Sequence, residues 1–125
     1  MPDARVRLTV TMGQGTAPDI SVAHDPSVLV TVDPLPAAGA PVLLRISSIR
    51  IDERRPLAAG KTAQYINFLL AAAEARDAGA DDALLLNHRG GICEATTSNV
   101  FAVRHGVLLT PSTRDGALPG VTATP

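Results

Sequence analysis

The clearest helical pattern in this chain runs from about Thr62 to Ala78 and lies between short apolar runs of strand length. Ile66, Leu69, Leu70 and Ala73 fall at i, i+3, i+4 and i+7, which predicts one apolar stripe. Thr62 is placed to cap the N-terminus, and Gly79 stands where a left-handed C-terminal cap belongs. Before this helix, Val6, Leu8, Val10 and Met12 alternate with Arg5, Arg7, Thr9 and Thr11. That period of two predicts a half-buried strand, ended by Gly13-Gln14-Gly15. Further strands are predicted at Val28–Val32, Val42–Ile49, Ala83–Leu86, Ile92–Ala95, Val100–Val103 and Val107–Thr110. The turns His88-Arg89-Gly90-Gly91 and His105-Gly106 separate the last pairs. One helix set among several strands makes the fold class α+β.

Asp33 to Pro41 holds three prolines and one glycine, so it reads as a linker. Asp52 to Gly60 reads as a charged loop. Gly13-Gln14-Gly15 is not a dinucleotide fingerprint, because no helix is expected to follow it.

Composition narrows the function classes. A hydrophobic fraction of 46% belongs to a globular chain rather than a disordered one. The only aromatics are Tyr65, Phe68 and Phe101, and the net charge is −1. That leaves neither a stacking platform nor an electrostatic footprint for nucleic acid. The apolar run Phe68–Ala73 is too short to span a bilayer, and no apolar signal core follows Met1. A cytoplasmic protein with no membrane partner is the expectation. Cys93, the single cysteine, has no partner in the chain for a disulfide and reads as a small buried hydrophobe. His24, His88 and His105 show no metal-ligand spacing, and Asp81-Asp82 reads as a loop before a strand.

The chemistry is concentrated in four pieces. Lys61 stands 33 residues before Glu94, which opens the run Glu94-Ala95-Thr96-Thr97-Ser98-Asn99-Val100-Phe101. Leu108-Leu109-Thr110-Pro111 and Leu118-Pro119-Gly120-Val121-Thr122 follow. Taken singly, Lys61 would be a solvated surface lysine and Glu94 a strand-edge glutamate, on ordinary burial preferences. In this order the four resemble the class IV aminotransferases, the fold type IV enzymes that use pyridoxal 5′-phosphate. That family includes branched-chain and D-amino-acid aminotransferases and aminodeoxychorismate lyase.

The resemblance implies a role for each piece. Lys61 would be the catalytic lysine, attached to the cofactor and later moving the substrate proton. At the head of a helix it would face the positive end of the macrodipole, which favours the neutral amine that attacks an aldehyde. Glu94 would hold the ring nitrogen, an answer to the cost of a carboxylate on a largely apolar strand. Leu118, Gly120, Val121 and Thr122 would supply ring and phosphate contacts, with free N–H groups facing the anion. Branched-chain aminotransferases place a tyrosine five residues after the lysine. Here that position is Ile66, and a helical shift of one residue, about 100°, would turn Tyr65 away from the role.

The implied function is transfer of an amino group between an amino acid and a 2-keto acid, by a homodimer when complete. Aminodeoxychorismate lyase is the rival enzyme, and a non-catalytic remnant is the third reading. Residues 1–33 would end the small N-terminal domain, 34–41 would be the linker, and 42–125 would begin the cofactor domain. Family members are about twice this length, so the chain is expected to be an internal fragment that is inactive alone. The family's phosphate-binding arginine would precede Met1.

Overall fold

The computed structural model describes residues 3–16, 19–35, 37, 39–55 and 60–123. The chain divides into two compact units, Met1–Gly39 and Ala40–Pro125.

The first unit is a two-stranded antiparallel ribbon. Strand β1 (Ala4–Val10) pairs with β2 (Val28–Pro34) from Ala4 opposite Pro34 to Val10 opposite Val28. A 3₁₀ turn at Ile20–Val22 lies between them, and Asp19 caps it by accepting from Ser21 N–H at 2.8 Å. The alternation predicted a strand with one face covered. The strand is there, but the cover is not: Val6, Leu8, Val10 and their partners Val32, Val30 and Val28 are all more than half exposed. Period two tells which side chains share a face, and nothing about what lies over that face. Pro34 belongs to β2. Pro36 and Ala38, part of the expected linker, lie outside the described residues.

The second unit is built on a strand–helix–strand crossover. Strand β3 (Leu44–Ile51) leads through helix α1 (Ile66–Asp77) to β4 (Asp82–Asn87), which runs parallel to β3. Strand β5 (Ile92–Ala95) then returns antiparallel to β4, giving the order β3-β4-β5. Strands β6 (Ala102–Arg104) and β7 (Val107–Leu109) form a separate hairpin turned by His105 and Gly106, both at positive φ. The last stretch carries 3₁₀ turns at Thr113–Asp115 and Val121–Ala123. Of the expected Asp52–Gly60 loop, residues 56–59 lie outside the described residues.

Helix α1 differs from its sequence reading at its start and in its buried face. It begins at Ile66 with Tyr65 at the cap position, so Thr62 caps nothing. It ends as expected: Gly79 takes φ +78° and its N–H donates to Arg76 O at 2.9 Å, while Ala80 N–H donates to Ala75 O at 2.9 Å. These two bonds satisfy carbonyls that the helix end would otherwise orphan.

The buried side of α1 is Phe68, Ala71 and Ala75, whereas Ile66, Leu69 and Leu70 are 57%, 56% and 52% exposed. The helix lies on its alanine stripe, which spaces at i, i+3 and i+7 as well as the leucine stripe does. Small residues let the helix axis approach β4 closely, where Ala83 and Leu85 are wholly buried. Ile51, Ala80 and Cys93 complete this core.

A carboxylate fixes the helix against the sheet. Strand β3 leaves register with β4 between Ile46 and Arg50. In that gap Ser47 Oγ–H donates to Glu74 Oε2 at 2.6 Å, and Ser48 N–H to Glu74 Oε1 at 2.9 Å. These donors, the serine hydroxyl foremost, hold the Glu74 carboxyl below the usual glutamate range. A depressed acid stabilises the fold fully above its unfolded pKa, about 4.3. That stabilisation fades as pH falls through the lower native value. Glu74→Gln should therefore lower the urea midpoint at pH 7, and the difference from wild type should close on acidification toward pH 3. A gap independent of pH would remove this role for the charge.

Candidate active site

Strand β3, the segment before α1, strand β5 and the loop after it converge on one cleft of about 660 Å³. That is within the range of small-molecule sites, about 300–1,000 Å³. Its lining includes Lys61, Tyr65, Glu94, Leu118 and Gly120. Four of the six residues singled out in the sequence thus share one cavity: Lys61, Glu94, Leu118 and Gly120. Val121 and Thr122 are not among the lining residues. Both belong to a single 3₁₀ turn, and Val121 is 95% exposed.

Lys61 lies in the irregular segment ahead of Tyr65, not at the head of a helix. The macrodipole acts within the first turn of a helix, so that argument does not reach this amine. The correction has a second consequence. Residues between Lys61 and Tyr65 are not helical, so the rotation argument against Tyr65 fails with its premise. Tyr65 lines the cleft, its hydroxyl donates to Thr96 O, and its ring stacks on Phe68 at 4.9 Å.

Glu94 sits on β5 opposite Leu85 and is 7% exposed. The ladder slips beside it, between Leu85 and Leu86. Its Oε2 accepts from Leu118 N–H at 3.2 Å. Burial pushes its pKa above the usual carboxylate range, and the Leu118 amide, Arg55 and Lys61 oppose that without cancelling it. A carboxylate so enclosed is completed by a cation or a proton.

The loop after β5 is strapped down on both sides. Thr96, 6% exposed, donates from Oγ1 to Asp82 Oδ1 at 2.5 Å. Asp81 Oδ2 accepts from Leu43 N–H at 2.7 Å. Asn99 Nδ2 donates to Leu118 O at 3.1 Å. Its Oδ1 lies where a β-carbon on Gly120 would come within 1.8 Å, so this position admits no side chain. Cys93 is 1% exposed, its thiol donating to Asp115 O at 2.9 Å and pushed up to about 11, chiefly by burial. It is inert packing. Sequence reasoning passed over Arg55 and discounted Tyr65. For Tyr65 the missing signal was where the helix starts.

Comparison with known proteins places the chain in a family. The family model described as amino-transferase class IV matches residues 1–124. A probable branched-chain-amino-acid aminotransferase from Synechocystis sp. is 45% identical over 83 residues, covering 65% of this chain and 27% of that protein. A Legionella pneumophila protein described as a putative 4-amino-4-deoxychorismate lyase superposes with TM-score 0.86 at 26% identity, over 94% of this chain and 44% of that one. A branched-chain amino acid aminotransferase from T.th., complexed with N-(5′-phosphopyridoxyl)-L-glutamate, gives TM-score 0.85 at 29% identity, over 96% of this chain and 41% of that one. The chain spans less than half the length of each. Its fold is the α+β, fold type IV arrangement of these enzymes. The chain belongs to the class IV aminotransferase family.

Proposed function

We propose that this chain forms the lysine-bearing wall of a pyridoxal-phosphate-dependent aminotransferase, one that moves an amino group between an amino acid and a 2-keto acid. The observation that carries the reading is the joint presence of Lys61 and buried Glu94 in one cleft that Gly120 also lines. The donor set fits the cofactor: a primary amine for an aldehyde, an enclosed carboxylate for a protonated ring nitrogen, and a wall without a side chain.

When bound, pyridoxal phosphate supplies an electron sink for the charge left on the substrate α-carbon. Lys61 Nζ would hold the group covalently and then take the α-proton. Glu94 would keep the ring nitrogen protonated, its second hydrogen bond already given by the Leu118 amide. Tyr65, Phe68 and Leu118 would flank the group and exclude water. A phosphate role for Val121 and Thr122 rests on the family resemblance. So do the homodimer and the division into 1–33, 34–41 and 42–125.

The test is an assay of the complete protein with pyridoxal phosphate, a branched-chain amino acid and 2-oxoglutarate. Glutamate should form, and only when both substrates are present. Pyruvate release from aminodeoxychorismate without a keto acid would replace this reading with the lyase. Neither activity would leave a non-catalytic remnant.

A further inference from the structure

Three segments meet at one arginine. Arg89 lies in the turn between β4 and β5, and its Nε stands 3.2 Å from Glu53 Oε1. Its Nη2 stands 3.8 Å from Asp115 Oδ1 and donates to Arg114 O at 3.4 Å. Each segment continues into the cleft. Glu53 belongs to the turn that carries Asp52 and Arg55, both lining residues. Asp115 ends the 3₁₀ turn that leads to Leu118 and Gly120. Arg89's own turn leads into β5 and Glu94.

This is more than a solvated ion pair. The Arg89 side chain is 65% exposed, but that of Glu53 is only 11% exposed. Glu53 Oε2 is buried with no hydrogen-bond partner among the described residues. Exposed pairs contribute little, whereas a carboxylate this enclosed depends on its cation. The rest of the junction is tight. Asp115 O accepts from Asn87 Nδ2 at 3.1 Å as well as from the Cys93 thiol. Gly116 turns at φ +100°, where a β-carbon would stand 3.0 Å from Ile51 Cγ2 and 3.5 Å from Glu53 Cα. A slip at this junction is two residues from the Leu118 amide that bonds Glu94.

We propose that Arg89 is a positioning residue: it ties the Glu53 turn to the Asp115 turn, keeping the Leu118 amide aimed at Glu94, and so sets cofactor affinity. The proposal rests on the reading of the cleft as a pyridoxal phosphate site. It needs no contact between Arg89 and the cofactor.

The experiment titrates pyridoxal phosphate into the complete protein by absorbance and records the melting temperature of the cofactor-free form. Arg89→Ala should weaken binding about tenfold, and Arg89→Lys should restore most of it. Arg89→Ala combined with Glu53→Gln removes the unpaired buried charge. Its melting temperature should recover while binding stays weak, because the tether is still missing. Wild-type affinity in Arg89→Ala, or in the double variant, would overturn the proposal. A wild-type protein that binds no pyridoxal phosphate would instead defeat the reading of the cleft itself.

Discussion

Changing Lys61 to alanine in the complete protein should abolish covalent capture of pyridoxal phosphate on this chain. Turnover should fall by at least the contribution of a positioned acid–base group, about 10²–10⁴-fold. Lys61 is the only lysine among the 125 residues, so no other lysine here can substitute for it. Its position outside α1, in an irregular segment, lets its side chain be exchanged without removing a helix residue. Steady-state kinetics with a branched-chain amino acid and 2-oxoglutarate would read the loss. Turnover within a few-fold of wild type would remove Lys61 from the chemistry.

Glu94→Gln should separate binding from rate. Glutamine has nearly the same shape and keeps an oxygen to accept from the Leu118 amide, so the 118–120 wall should stay in place. What goes is the negative charge that keeps a ring nitrogen protonated. Pyridoxal phosphate should still bind, and turnover should slow about 100-fold or more. The setting of Glu94 gives the reason. Burial alone drives it toward the neutral acid, and the Leu118 amide, Arg55 and Lys61 pull it back only in part. A protonated ring nitrogen would complete that set. Unchanged turnover in a variant whose melting temperature has dropped would mark Glu94 as a structural acid.

Some of this molecule could be read directly from its residues. Strand β5 was bounded correctly at Ile92 and Ala95, because a Gly-Gly turn and a Thr-Thr-Ser stretch punctuate a short apolar run. Gly79 announced the end of α1, because few residues other than glycine tolerate its backbone angle. The start of the helix was misread since Thr62 looks like a cap, yet helical hydrogen bonding begins only at Tyr65 O. The buried face was misread for a different reason. Ile66, Leu69 and Leu70 outrank Ala71 and Ala75 on any hydrophobicity scale, but close approach to β4 selects the smaller residues.

Order along the chain singled out Lys61 and Glu94, and the structure brings both into one cleft. Contacts that depend on three-dimensional closure left no trace. Arg89 and Glu53 share no period or motif, and Asn99 facing Gly120 emerges only when the loop folds over the 118–120 turn.

The central claim, that Lys61 is the residue to which the cofactor attaches, has one direct measurement. The complete wild-type protein is incubated with pyridoxal phosphate, reduced with borohydride, digested and mapped by mass spectrometry. The account predicts a phosphopyridoxyl adduct on the peptide containing Lys61, with none on that peptide when reduction is omitted. An unlabelled Lys61, or a stoichiometric adduct on a lysine elsewhere in the complete protein, would contradict it.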